Sequence, residues 1–479
     1  MSFSWKVMSY LLVVSLPGAV LASDYKPGEV IVKYKDDVSR TRTIMTKLYD
    51  DVGVKKIRRY SGIMRGFEQY ELDENVKVQD AVAELLKNDA VEYAQPNYIL
   101  RTFPVNPVPY NNPRIAMPCI PGMDVPGCDP NEKIPCLVPG IPFPPGCEDS
   151  GGGNPGGDDP PSGRPALNPA PPEVNPSVED PDISKAWGLE KIEATKAWRE
   201  HMGSKDFIVA DIDTGIDYNH EDLSFNLWRN PNPSDKNDVV GFNFVHNDGL
   251  PYDDNEHGTH TAGTIGATGG DGKGISGVSQ RVSLMTLKFL AGDGSGTTAD
   301  AIRAIDYAVA HGAKVLSNSW GGKGDDDNKA LYDAIERARD KNVLFIAAAG
   351  NDGADNDGKD ASYPAAFDND NLISVAATDR SDQLAFFSNY GKKTTHLAAP
   401  GANVYSTIPG GKYASFSGTS MACPHVAGAA AMVWSKHPDW DYKHVKKVLM
   451  ESVDQLPSLS GKIVTGGRLN VLKALRSME

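Results

Sequence analysis

Four polar side chains of this 479-residue chain are of the kinds that can attack and polarise a carbonyl group. They are Asp213, His257, Asn351 and Ser420, in that order along the chain. A serine hydroxyl is a weak nucleophile until a base accepts its proton, and His257 is the candidate base for Ser420. Asp213 can then fix the imidazole tautomer and stabilise its cation. Because the amide of Asn351 and the backbone N–H of Ser420 can stabilise a developing oxyanion, the set indicates acyl transfer.

Taken singly, these residues have ordinary structural explanations. Asp213 could end a strand, Asn351 could form a turn, and Ser420 could cap a helix. The string Asp213-Thr-Gly is also typical of aspartic proteases, which need two such carboxyl groups. The only second candidate begins at Asp149, within a Pro- and Gly-rich stretch that has no strand to hold it rigid. The combination of four residues therefore favours a serine-based mechanism.

The neighbouring histidines and cysteine do not form a zinc motif. His257 and His260 are three residues apart, rather than four, and no Glu lies between them. Cys423 follows Ser420 by one helical turn and could act as a second nucleophile or a metal ligand. We expect it instead to pack as a small buried residue. We also expect His260 and His425 to make structural hydrogen bonds.

The elements that must position these side chains alternate between strand and helix patterns from about Ile183 onward. Short apolar runs bounded by turns are typical of buried parallel strands. They occur at residues 207–212, 282–289, 313–319, 343–349 and 372–377. The alternation predicts an α/β catalytic domain over residues 182–479, with a mostly parallel central sheet and helices on both faces. Ligands bind beyond the carboxyl ends of such strands, where Asp213 and Asn351 fall.

A small α+β unit is predicted over residues 23–101, in front of this domain. Its order is strand, helix, strand, strand, helix, strand, which is the split βαβ arrangement. Residues 102–181 then become rich in Pro and Gly, and such a segment cannot bury enough apolar surface to fold alone. We interpret it as a linker. Four of the five cysteines cluster there and suggest two disulfides with three possible pairings: Cys119, Cys128, Cys136 and Cys147.

Residues 1–22 have the features of a signal peptide. Lys6 precedes an apolar stretch at 7–16 that is too short to span a bilayer, and Ala22 ends a pattern of small residues suited to cleavage. We therefore expect secretion to the extracellular space or the periplasm. No later stretch of about 20 apolar residues exists, so we expect no membrane anchor. The formal net charge of −15 argues against a nucleic-acid partner, and we expect a monomer.

The motifs together resemble the subtilisin family of serine proteases over about residues 182–475. The most specific string is Gly418-Thr-Ser-Met-Ala-Cys-Pro-His425, and Asp213-Thr-Gly, His257-Gly-Thr-His and Ala349-Gly-Asn precede it in the family's order. Residues 23–101 resemble the family's propeptide, including Tyr93-Ala-Gln-Pro-Asn-Tyr98. The resemblance implies a precursor whose propeptide aids folding, blocks the cleft and is removed by self-cleavage. It implies no cofactor for the chemistry.

The resemblance also implies where a polypeptide substrate lies. Ser319, Trp320 and Gly321 match the segment that pairs with substrate backbone on one side, and Gly294 lies in the matching segment on the other. Such pairing grips any extended peptide, so selectivity comes from pockets. Ser362 stands on the far wall of the primary pocket, where glycine is common, and could narrow it. We expect broad endopeptidase activity that favours large apolar or mixed side chains.

A structural calcium ion is a further implication of the resemblance. Asp222 matches a ligand position of the family, and Asp271 could supply a second carboxylate beside backbone carbonyl oxygens. The loop that carries Asp271 is one residue longer than the commonest form. Solvated surface charge is the alternative for these acidic residues.

Two rival functions stay open at this point. One is a non-catalytic binding protein that keeps the fold, although all four catalytic residue types are present. The other is a processing protease with a narrow dibasic preference, although the extra C-terminal β domain usual in such enzymes is not evident before Glu479.

Overall fold

The computed structural model describes residues 24–35, 42–60, 66–104, 164–171, 179–323 and 328–477. The predicted signal peptide and the four clustered cysteines lie outside these residues, so secretion and the two disulfides stay predictions. The division into segments ending at residues 22, 101 and 181 also stays a prediction. Within the described residues, no helix has both the length and the apolar character needed to cross a membrane.

The N-terminal unit has the predicted order of elements. They are β1 (Tyr25–Tyr34), α1 (Arg42–Val52), β2 (Val54–Arg59), β3 (Phe67–Leu72), α2 (Val78–Leu85) and β4 (Val91–Thr102). The strands pair antiparallel in the order β4-β1-β3-β2. Alternate residues of β1, including Val30, Val32 and Tyr34, are buried in a hydrophobic core with residues of both helices. Ile31 points to the opposite face and is buried in a hydrophobic cluster with residues of the α/β domain, so residues 30–32 form a continuous apolar run.

The second unit begins after a short 3-10 turn at Ile183–Lys185. Its helices are α3 (Trp187–Lys191), α4 (Ala194–Ala197), α5 (His257–Gly266), α6 (Thr298–Ala310), α7 (Lys329–Asp340), α8 (Thr419–Lys436), α9 (Tyr442–Glu451) and α10 (Val471–Arg476). Its strands are β5 (Gly203–Asp213), β6 (Gly241–Asn243), β7 (Arg281–Lys288), β8 (Ser295–Thr297), β9 (Val315–Asn318), β10 (Trp320–Lys323), β11 (Leu344–Ala348), β12 (Ser362–Tyr363), β13 (Leu372–Thr378), β14 (Leu397–Pro400), β15 (Val404–Ile408), β16 (Lys412–Phe416), β17 (Asp454–Gln455) and β18 (Gly467–Arg468).

Nine of these strands form the central sheet, in the order β17-β18-β14-β13-β11-β9-β5-β7-β6. Every neighbouring pair is parallel except β17 and β18 at one edge. Successive strand residues face opposite hydrophobic cores: Val209 packs with residues of α5 and α8, whereas Ala210 packs with residues of α6 and α7. Because both faces are buried, the strands read as nearly continuous apolar runs. The predicted α/β fold is confirmed.

One element differs from its predicted bounds in a way that matters for function. Strand β4 was expected to end at Tyr98 but continues to Thr102. The extra residues pair antiparallel with β8 on one side and with β10 on the other. The extension follows from partners in the second unit, which no local sequence pattern specifies.

Candidate active site

Asp213 and His257 meet at the carboxyl end of β5. Asp213 is the last residue of this strand, and His257 is the first residue of α5. His257 Nδ1 lies 2.7 Å from Asp213 Oδ1, and both side chains are buried. The second ring nitrogen, Nε2, is buried and has no hydrogen-bond partner among the described residues. The pair can thus accept a proton at Nε2 while the carboxylate stabilises the resulting cation.

The start of α5 is fixed by Asp253, which sequence reasoning missed. Its carboxylate accepts hydrogen bonds from the hydroxyls of Thr214 and Thr259, at 2.8 and 2.6 Å, and from three backbone N–H groups. The Thr214 hydroxyl in turn accepts from the N–H of Gly258 at 2.9 Å. The loop after Asp213 and the first turn of α5 are therefore joined. A carboxylate four residues before a helix start is the signal that could have indicated this role.

Ser420 is the second residue of α8, where a backbone N–H has no intrahelical acceptor. Its hydroxyl donates to the carbonyl oxygen of Ser319 at 3.1 Å. In return, the Ser319 hydroxyl donates to the carbonyl oxygen of Ser420 at 3.0 Å. That carbonyl is free because Pro424, four residues later, has no N–H to offer it. The proline inside α8 thus makes room for a link between the nucleophile candidate and the end of β9.

Asn351 is oriented by the first residue of α8. Its Oδ1 accepts from the backbone N–H and the hydroxyl of Thr419, at 2.8 and 2.7 Å. Since the oxygen is fixed in this way, the Nδ2 group points into the cleft. There it donates to the carbonyl oxygen of Pro104 at 2.9 Å. Asn351 already binds a peptide carbonyl, as an oxyanion donor must.

The other residues near Ser420 have structural roles. His260 Nε2 lies 3.0 Å from the carbonyl oxygen of Val404, and His425 Nδ1 lies 2.8 Å from that of Met421. Burial lowers the pKa of His260 to about 3 and that of His425 to about 4, so both rings are neutral at pH 7. Cys423 is a free, fully buried thiol in the hydrophobic core. Burial raises its pKa to about 12, which makes it a poor nucleophile.

The end of β4 lies in the cleft as an extended peptide between β8 and β10. Leu100 is opposite Gly296, and Arg101 is opposite Gly321. The N–H of Thr102 donates to the carbonyl oxygen of Gly294 at 2.9 Å. The segments predicted to bind substrate, Ser319–Gly321 and the one with Gly294, are thus the ones that hold this strand.

The two residues that follow β4 contact a predicted substrate-binding residue and the candidate oxyanion donor. Phe103 is buried, and its ring packs so closely on Gly321 that a Cβ there would lie 2.7 Å from the ring. The next residue, Pro104, supplies the carbonyl that Asn351 binds. The side chain that packs against Gly321 therefore belongs to Phe103, whereas the carbonyl group that the Asn351 amide binds belongs to Pro104.

The two remaining predicted substrate residues line the base of this cleft. Trp320 is fully buried, and its Nε1 donates to the carbonyl oxygen of Ile212 at 2.8 Å. Its ring therefore supports the end of β5 while its backbone pairs with β4. Ser362 is buried in β12, which pairs with β10, and its hydroxyl lies close to Gly350. This residue of the predicted pocket wall therefore lies next to the segment that carries Asn351.

The two predicted metal ligands do not form a complete cluster. Asp222 Oδ2 accepts from the N–H of Ile275 and the hydroxyl of Tyr413, whereas its buried Oδ1 has no partner among the described residues. Asp271 is half-buried, and its Oδ1 accepts from the N–H of Lys273. Across the described ranges, no three His, Cys, Asp or Glu residues are placed to hold one metal ion. The unpartnered oxygen of Asp222 fits a cation, but any further ligands would have to be backbone oxygens or water.

Asp180, which sequence reasoning missed, orders the loop around Asp271. Its carboxylate accepts from the N–H groups of Gly270, Asp271 and Gly272 and from the hydroxyl of Ser276, at 2.6–3.2 Å. Asp180 lies in the predicted linker, in a context with no helix or strand pattern. No signal in the sequence pointed to it.

The fold and this site are those of a serine-type peptidase of the subtilisin kind. The subtilase family model matches residues 204–467, which is more than half of the chain, and the chain belongs to that family. A second family model, the fervidolysin N-terminal prodomain, matches residues 18–97. The protein is therefore a serine-type endopeptidase made as a precursor with an N-terminal prodomain.

Several relatives are similar to part of this chain. Thermitase of Thermoactinomyces vulgaris is 37% identical over 295 residues, which is 61% of this chain and 96% of thermitase. A thermophilic serine proteinase of Bacillus sp. (strain AK1) is 37% identical over 279 residues, covering 58% of this chain and 64% of that protein. Subtilisin-like protease 1 of Plasmodium falciparum is 34% identical over 321 residues, covering 60% of this chain but only 46% of that protein.

Proposed function

We propose that the chain is the precursor of a secreted, monomeric endopeptidase of broad specificity, with Asp213, His257 and Ser420 as its relay and Asn351 as its oxyanion donor. One observation carries the proposal. The Asn351 amide binds a peptide carbonyl in the cleft, while the neighbouring Thr419 fixes its orientation at the start of the helix that bears Ser420. A substrate carbonyl in this place lies next to both oxyanion donors.

The chemistry follows from these positions. Ser420 Oγ attacks the substrate carbonyl carbon while His257 Nε2 accepts its proton, and Asp213 stabilises the imidazolium. The oxyanion is bound by Asn351 Nδ2 and by the backbone N–H of Ser420. His257 then protonates the leaving nitrogen, the C–N bond breaks, and an acyl-enzyme remains. Water repeats the sequence and releases the acid. For this to begin, the Ser420 hydroxyl must turn from the Ser319 carbonyl toward Nε2.

The prodomain acts as an intramolecular inhibitor in this proposal. Its C-terminal segment fills the cleft as a substrate would. For cleavage after Phe103, however, the segment is displaced by one residue. If Phe103 occupies the primary pocket, its own carbonyl should lie on Asn351, yet the carbonyl of Pro104 lies there. The bond after Phe103 would also have a proline nitrogen as its leaving group. The segment therefore blocks the site without being a good substrate.

The contacts of β4 support a preference for extended peptides with bulky apolar side chains. The two side chains buried most deeply at its cleft end are Leu100 and Phe103, three residues apart. The backbone pairing between them uses no side chain and suits any sequence. We infer that backbone pairing allows the enzyme to bind many sequences and that two apolar pockets favour substrates with bulky apolar side chains.

A structural calcium ion is also part of the proposal, and it takes no part in the chemistry. Asp222 would bind it through Oδ1, with Asp271 and backbone carbonyl oxygens nearby. Burial raises the pKa of Asp222 to about 7, and the charges of Asp271 and Asp180 contribute. A cation would remove the cost of ionising this carboxyl group.

The test is Ser420→Ala in the full chain, with Ser435→Ala as the matched control on the same helix. Cleavage of a peptide library should fall by at least about 10⁴-fold, and the precursor should stay folded and uncut. A fluorophosphonate probe should label Ser420 in the wild type. Ser435→Ala should keep wild-type activity, because its hydroxyl bonds to Met432 and His201, away from the cleft. A Ser420→Ala protein with wild-type cleavage would end the proposal.

A further inference from the structure

Asp211 is a carboxylic acid buried in the core, two residues before Asp213 on the same strand. Its side chain is 2% exposed. Residues two apart on a strand point to the same face, so Asp211 and Asp213 both face α5. The earlier members of this row, Phe207 and Val209, belong to the hydrophobic core on that face. An acid at this position needs a reason, because the steps described above do not use it.

Asp211 is bonded to the same helix that carries His257. The hydroxyl of Thr261 on α5 lies 2.9 Å from Asp211 Oδ2. Thr261 follows His257 by four residues, so the two side chains lie on one face of the helix, about 6 Å apart along its axis. Residues two apart on a strand are separated by nearly the same distance, about 6.6 Å. The contacts Asp213–His257 and Asp211–Thr261 therefore lie side by side.

We propose that Asp211 is a positioning residue for His257: its carboxyl group and the Thr261 hydroxyl form a second cross-link between β5 and α5, parallel to the link between Asp213 and His257. The contacts of Asp213, Thr214 and Asp253 hold the first turn of α5, at His257, Gly258 and Thr259. The Asp211–Thr261 contact lies one turn further along, so it limits the tilt and rotation of the helix about that first turn, and hence the direction of Nε2. The inference rests on the proposed role of His257.

The hydrogen bonds of Thr261 indicate that Asp211 is protonated. The single hydroxyl hydrogen of Thr261 faces two oxygens at 2.9 Å, Asp211 Oδ2 and the carbonyl oxygen of Gly258. If Asp211 were ionised, one of these contacts would join two acceptors with no hydrogen between them. If Asp211 carries a proton, it donates to Thr261, and Thr261 donates to Gly258. Only the protonated acid satisfies both contacts.

The neighbours on the sheet and on α8 offer Asp211 no positive charge. Thr286 on β7 and Ser317 on β9 are its partners in the parallel register, so their side chains lie on the same face. Both hydroxyls are buried; that of Thr286 has no acceptor among the described residues, and that of Ser317 lies beside Asp211. Cys423 of α8 also faces this region, and its raised pKa of about 12 keeps it neutral. The surroundings suit an uncharged group.

The charged groups near Asp211 act in the same direction. Burial raises the pKa of Asp211 well above its ordinary value, and the negative charges of Asp213 and, more weakly, Asp253 raise it further, whereas the hydroxyls of Thr261 and Ser317 lower it only in part. His257 is paired with Asp213, and the nearest lysine on β7, Lys288, binds Asp254 and two backbone carbonyl oxygens. No counter-ion for Asp211 is found among the described residues. A neutral acid avoids placing two carboxylates together.

The kinetic test compares two substitutions in the enzyme obtained from the full chain. Asp211→Val removes the cross-link, and kcat should fall about tenfold or more with KM within about twofold, because the imidazole is misplaced. Asp211→Asn keeps an uncharged donor and should restore kcat to within about threefold. It should also leave the acid limb of the pH profile of kcat/KM within about 0.3 unit of wild type, because no charge is lost. A wild-type kcat for Asp211→Val, or a clear shift of the acid limb for Asp211→Asn, would refute the proposal.

The other end of the cross-link supplies the control. Thr261→Val should reproduce the loss seen with Asp211→Val, and the double variant should be no worse than either single one. Thr264→Val removes a hydroxyl of the same helix that bonds only to the carbonyl of His260, and its kcat should be unchanged. Additive losses in the double variant, or an equal loss in Thr264→Val, would show a general packing effect and contradict the proposal.

A measurement without catalysis separates this inference from the proposed function. In the Ser420→Ala chain, an unfolded Asp211 loses its proton above about pH 4, whereas the folded one keeps it. Stability contributed by Asp211 is therefore lost as pH rises above that value, and Asp211→Asn removes this loss. The Tm of the Asn variant minus that of its parent should grow from pH 5 to pH 8. A difference independent of pH would show that Asp211 is ionised in the fold, and this outcome does not depend on any protease activity.

Discussion

Asp213 and His257 are bonded to each other and enclosed on several sides, whereas Ser420 and Asn351 are bonded to groups that the reaction does not use. The first pair lies between β5 and α5, and Asp253 and Thr214 hold the two elements together. In the second pair, the Ser420 hydroxyl bonds to the carbonyl of Ser319, and the Asn351 amide bonds to the carbonyl of Pro104. The half of the site formed by Asp213 and His257, the enclosed half, already has its hydrogen bond. The half formed by Ser420 and Asn351, the occupied half, is bonded to other groups.

The difference follows from where each half lies. Asp213 and His257 sit on elements whose contacts are internal to the catalytic domain, so folding alone fixes them. Asn351 faces the cleft, where the segment after β4 supplies its partner, whereas the Ser420 hydroxyl bonds to Ser319 of the catalytic domain. In the proposed mechanism, activation requires that the segment after β4 leaves the cleft and that the Ser420 hydroxyl turns toward His257, and neither step rearranges a core. Three predictions test the two halves of the site, and a fourth concerns a region outside both.

The largest effect is expected from breaking the enclosed half with Asp213→Asn. The amide would offer a hydrogen to His257 Nδ1 in place of an acceptor, so the imidazole would take the wrong tautomer. We expect kcat to fall by about 10⁴-fold, with the Tm nearly unchanged. Asp206→Asn, at the exposed amino end of the same strand, should behave as wild type. A loss below tenfold for Asp213→Asn would show that this pair does not handle the proton.

A substitution at Asn351, in the occupied half, should reduce kcat by a smaller factor. Asn351→Ala removes one of two oxyanion donors, and we expect kcat to fall by about 10²–10³-fold with a smaller change in KM. Thr419→Val leaves the amide but removes one of the two donors that orient it, so we expect a loss of about tenfold. The two substitutions act on one amide, and their effects should not add. A rise in KM with kcat unchanged would mean that Asn351 binds the ground state and the transition state alike.

Much of this site follows from the sequence, because local strings specify it. The apolar run before Asp213 and the Gly-Thr-Ser-Met-Ala string around Ser420 each mark one element end, and parallel strands bring such ends to one edge. The resemblance assigns Ser319, Trp320, Gly321 and Gly294 to the cleft; Trp320, Gly321 and Gly294 lie beside β4, and Ser319 bonds to Ser420.

The residues that escaped prediction depend on partners far away in the chain. Asp180 binds a loop about 90 residues later, and Asp211 binds Thr261 across two elements. The length of β4 depends on β8 and β10, about 200 residues further on. In each case the local pattern is that of a linker, a core strand or a strand end. Only the folded arrangement shows which distant group the side chain or backbone meets.

The proposal that the segment in the cleft resists cleavage after Phe103 can be tested with Pro104→Ala in the full chain. If Phe103 fills the primary pocket and the proline nitrogen prevents cleavage, alanine should allow the segment to shift into productive register. His257 could then protonate an ordinary amide nitrogen. We expect a new N-terminus at residue 104, formed at least about tenfold faster than in wild type, and N-terminal sequencing would reveal it.

Phe103→Ala is the companion variant. It should weaken the block, because a buried ring is lost, but it should not create a cut at that point. A wild-type enzyme whose mature N-terminus is already Pro104 would contradict the proposed register.

The smallest effect is expected from calcium, in a region that belongs to neither half. Above about pH 7 the buried Asp222 carboxyl ionises, and a cation on Oδ1 should then stabilise the fold. Below that pH the proton competes, since the pKa of Asp222 is raised and the acid is most easily buried when neutral. Millimolar calcium should therefore raise the Tm by a few degrees at pH 8 and by less at pH 5, with kcat unchanged. Asp222→Asn should abolish the difference between the two pH values, and equal melting temperatures at pH 8 with calcium or a chelator would exclude the ion.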